Sequence, residues 1–339
     1  MSRVLVLERL VGLAPPHQRV ESESASLSLS PQLDYLFEAG TLTPEQLVVR
    51  LKRDPLIEGI ISPLSQQITA EVFERAPQLK VVANIAVGLN NIDLAAARAH
   101  QVRVAHTPHV LTEATADLAW ALLLGGARRI VEGDALARSG AWAGWEMNQL
   151  LGGALGGRDA GAGGGRSLGV IGLGSIGQAV ARRAQGFQME VMYFSRTRKR
   201  DLEHAEGWRY LPLDELISRV DYLVLCAALT PETTHLLSRD RLESMRPQAF
   251  LVNVGRGALI DEAALIELLE RGHLSGAALD VYEREPHIPA RLRALPQVTL
   301  SPHLGSATRE ARREMSRLAL CAVEEALCGV TGQGAKFVH

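Results

Sequence analysis

The chain has 339 residues, 47% of them apolar, with 22% charged side chains and a net charge of −2 at pH 7. That length is about twice the commonest domain size, so two compact domains are expected. The near-neutral balance, with no long basic block, gives no electrostatic reason for a nucleic-acid or anionic-membrane partner and favours small-molecule chemistry.

From the N-terminus, the apolar run 4–7 is broken at once by Glu8 and Arg9, unlike a signal peptide. No apolar stretch approaches the roughly 20 residues that span a bilayer. Cys226, Cys321 and Cys328 are too scattered for a disulfide framework or a paired metal-ligand motif. A soluble, cytoplasmic protein without a metal is expected. Short apolar runs at 3–7, 59–62, 81–86, 167–172, 190–194, 222–226, 249–253, 276–280 and 298–301 alternate with amphipathic stretches. This predicts an α/β fold of parallel sheets covered by helices on both faces. Residues 114–131 predict a long apolar helix, with Thr112 as N-cap and Glu113 in the first turn. Residues 152–165 hold eight glycines in fourteen positions, which predicts a flexible connection, mobile and dispensable for chemistry over 154–166. A last helical pattern at 319–327 is expected to pack back onto the N-terminal domain and make that domain discontinuous.

The run from Leu168 to Gly177 reads as a strand, then G-x-G-x-x-G at Gly172, Gly174 and Gly177, then a helix over 178–186. Gly172 allows a tight turn, Gly174 lets backbone approach a pyrophosphate, and Gly177 lets the helix pack closely on the strand. The N–H groups around Ser175 and Ile176 then face the anion. A glycine turn alone is weak. Here the following strand, 190–194, ends roughly 20 residues on, where a ribose-reading residue belongs. That strand runs into Ser195-Arg196-Thr197-Arg198-Lys199-Arg200, with no carboxylate before Asp201. Ser195 and Thr197 offer hydroxyls, and Arg196 or Arg198 can pair with a 2′-phosphate. NADP(H) is therefore expected as the preferred cofactor, with NAD(H) possible.

Three further strands each end in a polar group: Arg256 after 249–253, Glu285 after 276–280, and His303 after 298–301. Ligands bind at this edge of open α/β sheets. A 2-oxo acid needs a cation for its carboxylate, which the Arg256 fork supplies, and a proton for the oxygen that hydride arrival turns into an alkoxide, which His303 supplies. Glu285 can hold the imidazole and favour its protonated form. Taken singly, the arginine reads as a surface charge, the glutamate as a turn residue and the histidine as a cap. Their joint placement selects the catalytic reading.

These motifs, with Val82–Gly88, Asn91-Ile-Asp93, 111–120 and 302–308 around them, make the chain resemble the D-2-hydroxyacid dehydrogenase family over about residues 70–307. Within it the chain looks most like the glyoxylate/hydroxypyruvate reductases. The resemblance implies a substrate domain at 1–107 and 304–339, flavodoxin-like, into which an NAD(P)-binding Rossmann domain at 108–303 is inserted, with the active site in a cleft between them. It implies that Arg256 binds substrate, that Glu285 partners the acid/base His303, and that backbone N–H groups at Val87 and Gly88 hold the substrate carboxylate. It also puts Val254, Asp280 and Gly305 at the cofactor. A homodimer through the cofactor domain is implied, with the helix from Thr112 and residues 142–145 at the interface; packing within one chain is the other reading of Trp142 and Trp145. The chain departs from the family at Asn90, where an aromatic residue is common, at His109, where glycine is usual, and at Ala228, which replaces a common proline. Residues 159–166 look inserted. The chain crosses between the two domains near 106–108 and near Gly305, and these crossings are expected to hinge. Phosphoglycerate dehydrogenase and a dinucleotide-sensing co-repressor are the alternative functions.

Overall fold

The computed structural model describes residues 1–13, 27–38, 40–156, 166–330 and 334–338. The chain forms two compact units, Met1–Leu111 with Ala307–His339, and Thr112–Ser306. In chain order the first unit begins with β1 (Arg3–Val6), β2 (Asp34–Phe37), α1 (Pro44–Arg53), β3 (Ile57–Pro63), α2 (Ala70–Arg75), β4 (Val81–Ile85), α3 (Leu94–Ala99) and β5 (Arg103–His106). The second unit opens with α4 (Thr112–Ala127), α5 (Ile130–Ser139), β6 (Ser167–Ile171), α6 (Ser175–Arg183), β7 (Glu190–Phe194), α7 (Arg200–Glu206) and β8 (Arg209–Tyr210). It continues with α8 (Leu213–Arg219), β9 (Tyr222–Leu225), α9 (Arg239–Ser244), β10 (Phe250–Asn253), α10 (Glu262–Glu270), β11 (Gly276–Leu279), α11 (Ala290–Arg293) and β12 (Val298–Leu300). The chain then returns to the first unit for α12 (Arg309–Cys328) and β13 (Lys336–Val338).

In the first unit the strand order is β13-β5-β4-β3-β1-β2, parallel except for the antiparallel edge β13. Apart from that edge this is the flavodoxin-like order. The helix expected at 319–327 is longer, beginning at Arg309 under a Thr308 cap whose side chain accepts from the Ala311 N–H. It packs across β3, β4 and β5, so this unit is discontinuous in sequence. The strands β2, β5 and β13 lie outside the expected runs. They are short, and β2 and β13 are only partly buried, so a hydrophobicity pattern barely registers them.

The second unit is a seven-stranded parallel sheet in the order β12-β11-β10-β9-β6-β7-β8. Read from β8, this is the Rossmann order with one further strand, and its connection reverses between β6 and β9, the crevice where such sheets take ligands. Buried clusters cover both faces, one built on Leu223, Leu251 and Leu279, the other on Val170, Val224 and Val252. That alternation along β9 and β10 is the period of a strand buried on both sides.

The single helix expected over 114–131 is two helices. It starts at Thr112, which is helical rather than a cap, and breaks after Ala127, where Arg129 takes a left-handed φ of +54°. Gly126 sits in its last turn because a Cβ there would come 2.3 Å from the Phe250 ring of the sheet. The glycine-rich connection also differs from expectation where it is described. Gly152 and Gly156 lie so close to neighbouring backbone that a Cβ would come 2.3 Å from the Ala127 carbonyl and 2.4 Å from that of Phe187. Between them Leu155 is buried, and the Ala154 carbonyl accepts from the Tyr222 hydroxyl at 2.9 Å. These glycines serve close packing rather than freedom. Residues 157–165, including most of the expected insertion, lie outside the described residues. Among the described residues no helix is long and apolar enough to cross a membrane.

Candidate active site

All the polar groups singled out in the second unit stand at the carboxyl ends of its strands. After β6 the three motif glycines have three separate reasons. Gly172 adopts φ +94° and would carry a Cβ 2.6 Å from the Ala227 nitrogen; a Cβ on Gly177 would meet the Gly172 carbonyl at 2.1 Å. Both are demanded by the fold. Gly174, the N-cap of α6, is exposed and has no protein atom within 4 Å of a Cβ position. The open space in front of it, at a helix end whose first N–H groups lack intrahelical partners, fits the pyrophosphate of a dinucleotide. Ser175 is exposed beside it, and Ile176 packs partly into the core. The helix begins at Ser175, three residues before the expected start, and tightens into a 3₁₀ turn at Ala184–Phe187.

After β7, Ser195 donates to the Thr197 carbonyl at 2.6 Å. Arg198 does not stand free for a phosphate, contrary to one of the two expectations for this loop. Its Nε and Nη2 bind both oxygens of Glu203 at 2.8 and 2.7 Å. Arg196 and Thr197 remain exposed.

After β10, the Asn253 side chain folds the next turn, accepting from the Gly255 N–H at 3.0 Å and donating to the Arg256 carbonyl at 2.9 Å. Val254 is buried in this turn. Gly257 passes so near the Tyr282 backbone that a Cβ would overlap it at 1.8 Å, and this contact brings the loops after β10 and β11 together. Arg256 donates to the Gly255 carbonyl at 2.7 Å. Burial pulls its pKa below the ordinary arginine value, and the charge of Glu285 opposes that pull.

Glu285 accepts from the Tyr282 N–H at 3.1 Å through Oε1 and meets His303 Nδ1 at 2.8 Å through Oε2. Burial alone would raise its pKa, but the hydrogen bond and charge of His303, the Tyr282 N–H and the Arg256 charge together hold it below the usual carboxylate range. The ring nitrogen Nε2 of His303 makes no hydrogen bond among the described residues, so Nδ1 is anchored and Nε2 is left open. Arg256, Glu285 and His303, which are 47 residues apart at the extremes, thus form one connected group.

His303 has φ +54°, a left-handed conformation that costs a non-glycine residue about 1–3 kcal/mol. Asp280 holds it there. Its carboxylate accepts from the Ser301 hydroxyl and from the N–H groups of Leu304 and Gly305 at 2.7 and 2.8 Å. Its backbone carbonyl accepts from the His303 N–H at 2.9 Å. A hydrogen bond to a charged group contributes about 1.5–3 kcal/mol, so several together exceed the strain. Asp280 is thus buried and anchors the histidine loop. Sequence reasoning missed its partner Ser301 and also Thr115, whose hydroxyl donates to the Gly305 carbonyl at 2.9 Å. No spacing rule links residues 190 apart.

Val87 and Gly88 belong to the first unit, just past β4. Their carbonyls are engaged, by His106 Nδ1 at 3.0 Å and Asn84 Nδ2 at 3.0 Å. Their N–H groups donate to nothing among the described residues.

A model of the D-isomer specific 2-hydroxyacid dehydrogenase NAD-binding domain matches residues 120–305. The chain is 46% identical over 266 residues to a glyoxylate reductase of Thermococcus onnurineus, a match covering 77% of each chain. It is 44% identical over 278 residues to one of Pyrococcus furiosus, covering 81% of this chain and 80% of that one. Among solved structures it is similar to a Thermus thermophilus protein at 43% identity and TM-score 0.84, covering 99% of this chain and 100% of that one. It is also similar to an NADPH-dependent glyoxylate/hydroxypyruvate reductase of Sinorhizobium meliloti, solved with NADP and malonate, at 28% identity and TM-score 0.78, covering 96% and 93%. With a dinucleotide loop of this geometry and matches of this extent, the chain belongs to the D-isomer-specific 2-hydroxyacid dehydrogenases, nicotinamide-dependent oxidoreductases of the Rossmann class.

Proposed function

We propose that the protein reduces a small 2-oxo acid of the glyoxylate or hydroxypyruvate kind to the 2-hydroxy acid, of D configuration where C2 becomes chiral, using NADPH in preference to NADH. The observation that carries this reading is the anchored His303–Glu285 pair beside Arg256. A bound nicotinamide supplies the hydride for C2. Arg256 holds the substrate carboxylate with its planar fork, which fixes the 2-oxo group for attack. His303, protonated, donates from Nε2 to the carbonyl oxygen as negative charge develops there. Glu285 stabilises the imidazolium before transfer and fixes the ring through Nδ1. The neutral imidazole is then reprotonated from solvent, so one hydride and one proton are consumed per turnover.

The NADPH preference rests on Ser195, Arg196 and Thr197 standing where a ribose-binding carboxylate would select NADH. Nicotinamide absorbance followed with glyoxylate, hydroxypyruvate and pyruvate should show rapid turnover with the first two, and a higher kcat/KM with NADPH than with NADH. Changing Ser195→Asp and Arg196→Ala together should reverse the cofactor order. Absence of turnover with every 2-oxo acid, despite dinucleotide binding, points instead to a sensing protein. A higher efficiency with NADH in the unmodified enzyme overturns the reading of the loop but leaves the dehydrogenase.

We also propose a homodimer through the second unit. Trp142 and Trp145 are 56% and 75% exposed, and Ile130, Val131, Met147 and Leu151 are exposed within the same stretch of chain. Apolar side chains exposed along one stretch of chain support the reading of an association face. Light scattering should give twice the 36.7 kDa chain mass, and Trp145→Asp should shift it toward the monomer; a monomeric wild type removes the proposal.

A further inference from the structure

The loop after β7 is built around a buried tyrosine. Tyr193 is fully buried at the end of the strand, its ring meeting that of Tyr210 edge-on with centroids 5.6 Å apart. Its hydroxyl accepts from the Lys199 N–H at 2.8 Å, just before α7, and donates to Glu203 on the first turn of that helix at 2.7 Å. Glu203 also takes Arg198 in the two-bond pair already described, and the Arg198 guanidinium lies 5.3 Å over the Tyr210 ring. The cation is therefore held from two sides. The hydrogen bond from Arg198 holds the Glu203 carboxyl down at about 2, and burial with Glu203 beside it pushes the Tyr193 hydroxyl up to about 12. Glu203 stays ionised and Tyr193 stays a hydroxyl throughout the neutral range, so the arrangement does not switch with pH. Arg196 is different. It is exposed, it enters no ion pair among the described residues, and its charge reaches Glu232 only through space.

We infer that Glu203 is a specificity-determining residue, which withholds Arg198 from the 2′-phosphate, leaves Arg196 to read it, and so sets the NADPH-to-NADH ratio below that of a two-arginine loop. This rests on the proposed NADPH reading of the loop. A phosphate dianion competes with Glu203 for the same donors of Arg198, and the carboxylate, tethered on the adjoining helix turn and backed by the tyrosine hydroxyl, has the advantage of preorganisation. Removing its charge releases the guanidinium at the loop that carries Arg196.

The test is the ratio of kcat/KM for NADPH over NADH, with glyoxylate as common substrate. Glu203→Gln should raise the ratio by about threefold, the size of one solvent-exposed ion pair gained by the phosphate. Arg198→Ala should leave the ratio within about twofold of the wild type. The double variant E203Q/R198A should return it to the wild-type value, which mere loosening of the loop would not do. A ratio unchanged or lowered in E203Q, or still raised in the double variant, overturns the inference. If E203Q does not fold, R198A decides alone: an unchanged ratio supports the withheld cation and a fall in NADPH selectivity overturns it. Arg196→Ala separates the two layers, since an unchanged ratio there means that the phosphate reading of the loop itself has failed.

Discussion

His303→Ala lowers kcat by roughly 100-fold or more, the usual loss for a positioned acid, while dinucleotide binding is retained. The expectation follows from the anchoring of the ring: Nδ1 is committed to Glu285 at 2.8 Å, so the proton has one exit, at Nε2. The left-handed backbone of His303 raises the concern that alanine fails there for conformational reasons. His303→Asn answers it, because asparagine tolerates left-handed φ but cannot act as the acid, and should lose kcat to the same extent with an unchanged melting temperature. Glu285→Gln keeps the hydrogen-bonding shape without the charge and should cost less, about 10-fold, the scale of roughly one pKa unit of lost imidazolium stabilisation. Near-normal turnover in both histidine variants, measured at saturating cofactor and substrate, sinks the mechanism.

Arg256→Ala raises KM for the 2-oxo acid by about 10- to 100-fold, the worth of a charge-assisted hydrogen bond lost from a partly dry site, and lowers kcat as the substrate loses its orientation. Arg256→Lys should not rescue it, because a point charge does not reproduce the planar fork. The KM for NADPH should change little, since Arg256 stands after β10 and the dinucleotide loop after β6. Removing the arginine also removes a positive charge that helps hold the Glu285 pKa down, so the acid limb of the pH–rate profile should move to higher pH. An unaltered KM for glyoxylate in R256A would remove the arginine from substrate binding.

Much of the second unit is determined locally and was legible in the sequence. Strand β7 falls at the expected residues, and β6, β9, β10, β11 and β12 fall within a residue or so of theirs, because strands buried on both faces are continuous apolar runs ended by turn residues. The glycine motif was equally plain, since positive φ at Gly172 and backbone contact at Gly177 exclude any side chain. The order of Arg256, Glu285 and His303 along the chain, each just past a strand, was enough to nominate them. Tertiary structure decided the rest, because it concerns groups that are distant in sequence or compete for one partner. Asp280 anchors the histidine loop through residues that follow it by more than 20 positions, and Thr115 supports that loop from the other end of the unit. The glycines at 152 and 156 read as slack in a one-dimensional pattern, yet each is fixed by a backbone that only the fold brings near. The basic run 196–200 shows the same limit. Its composition is readable, but which of its arginines faces solvent and which is taken by Glu203 depends on where α7 places that carboxylate.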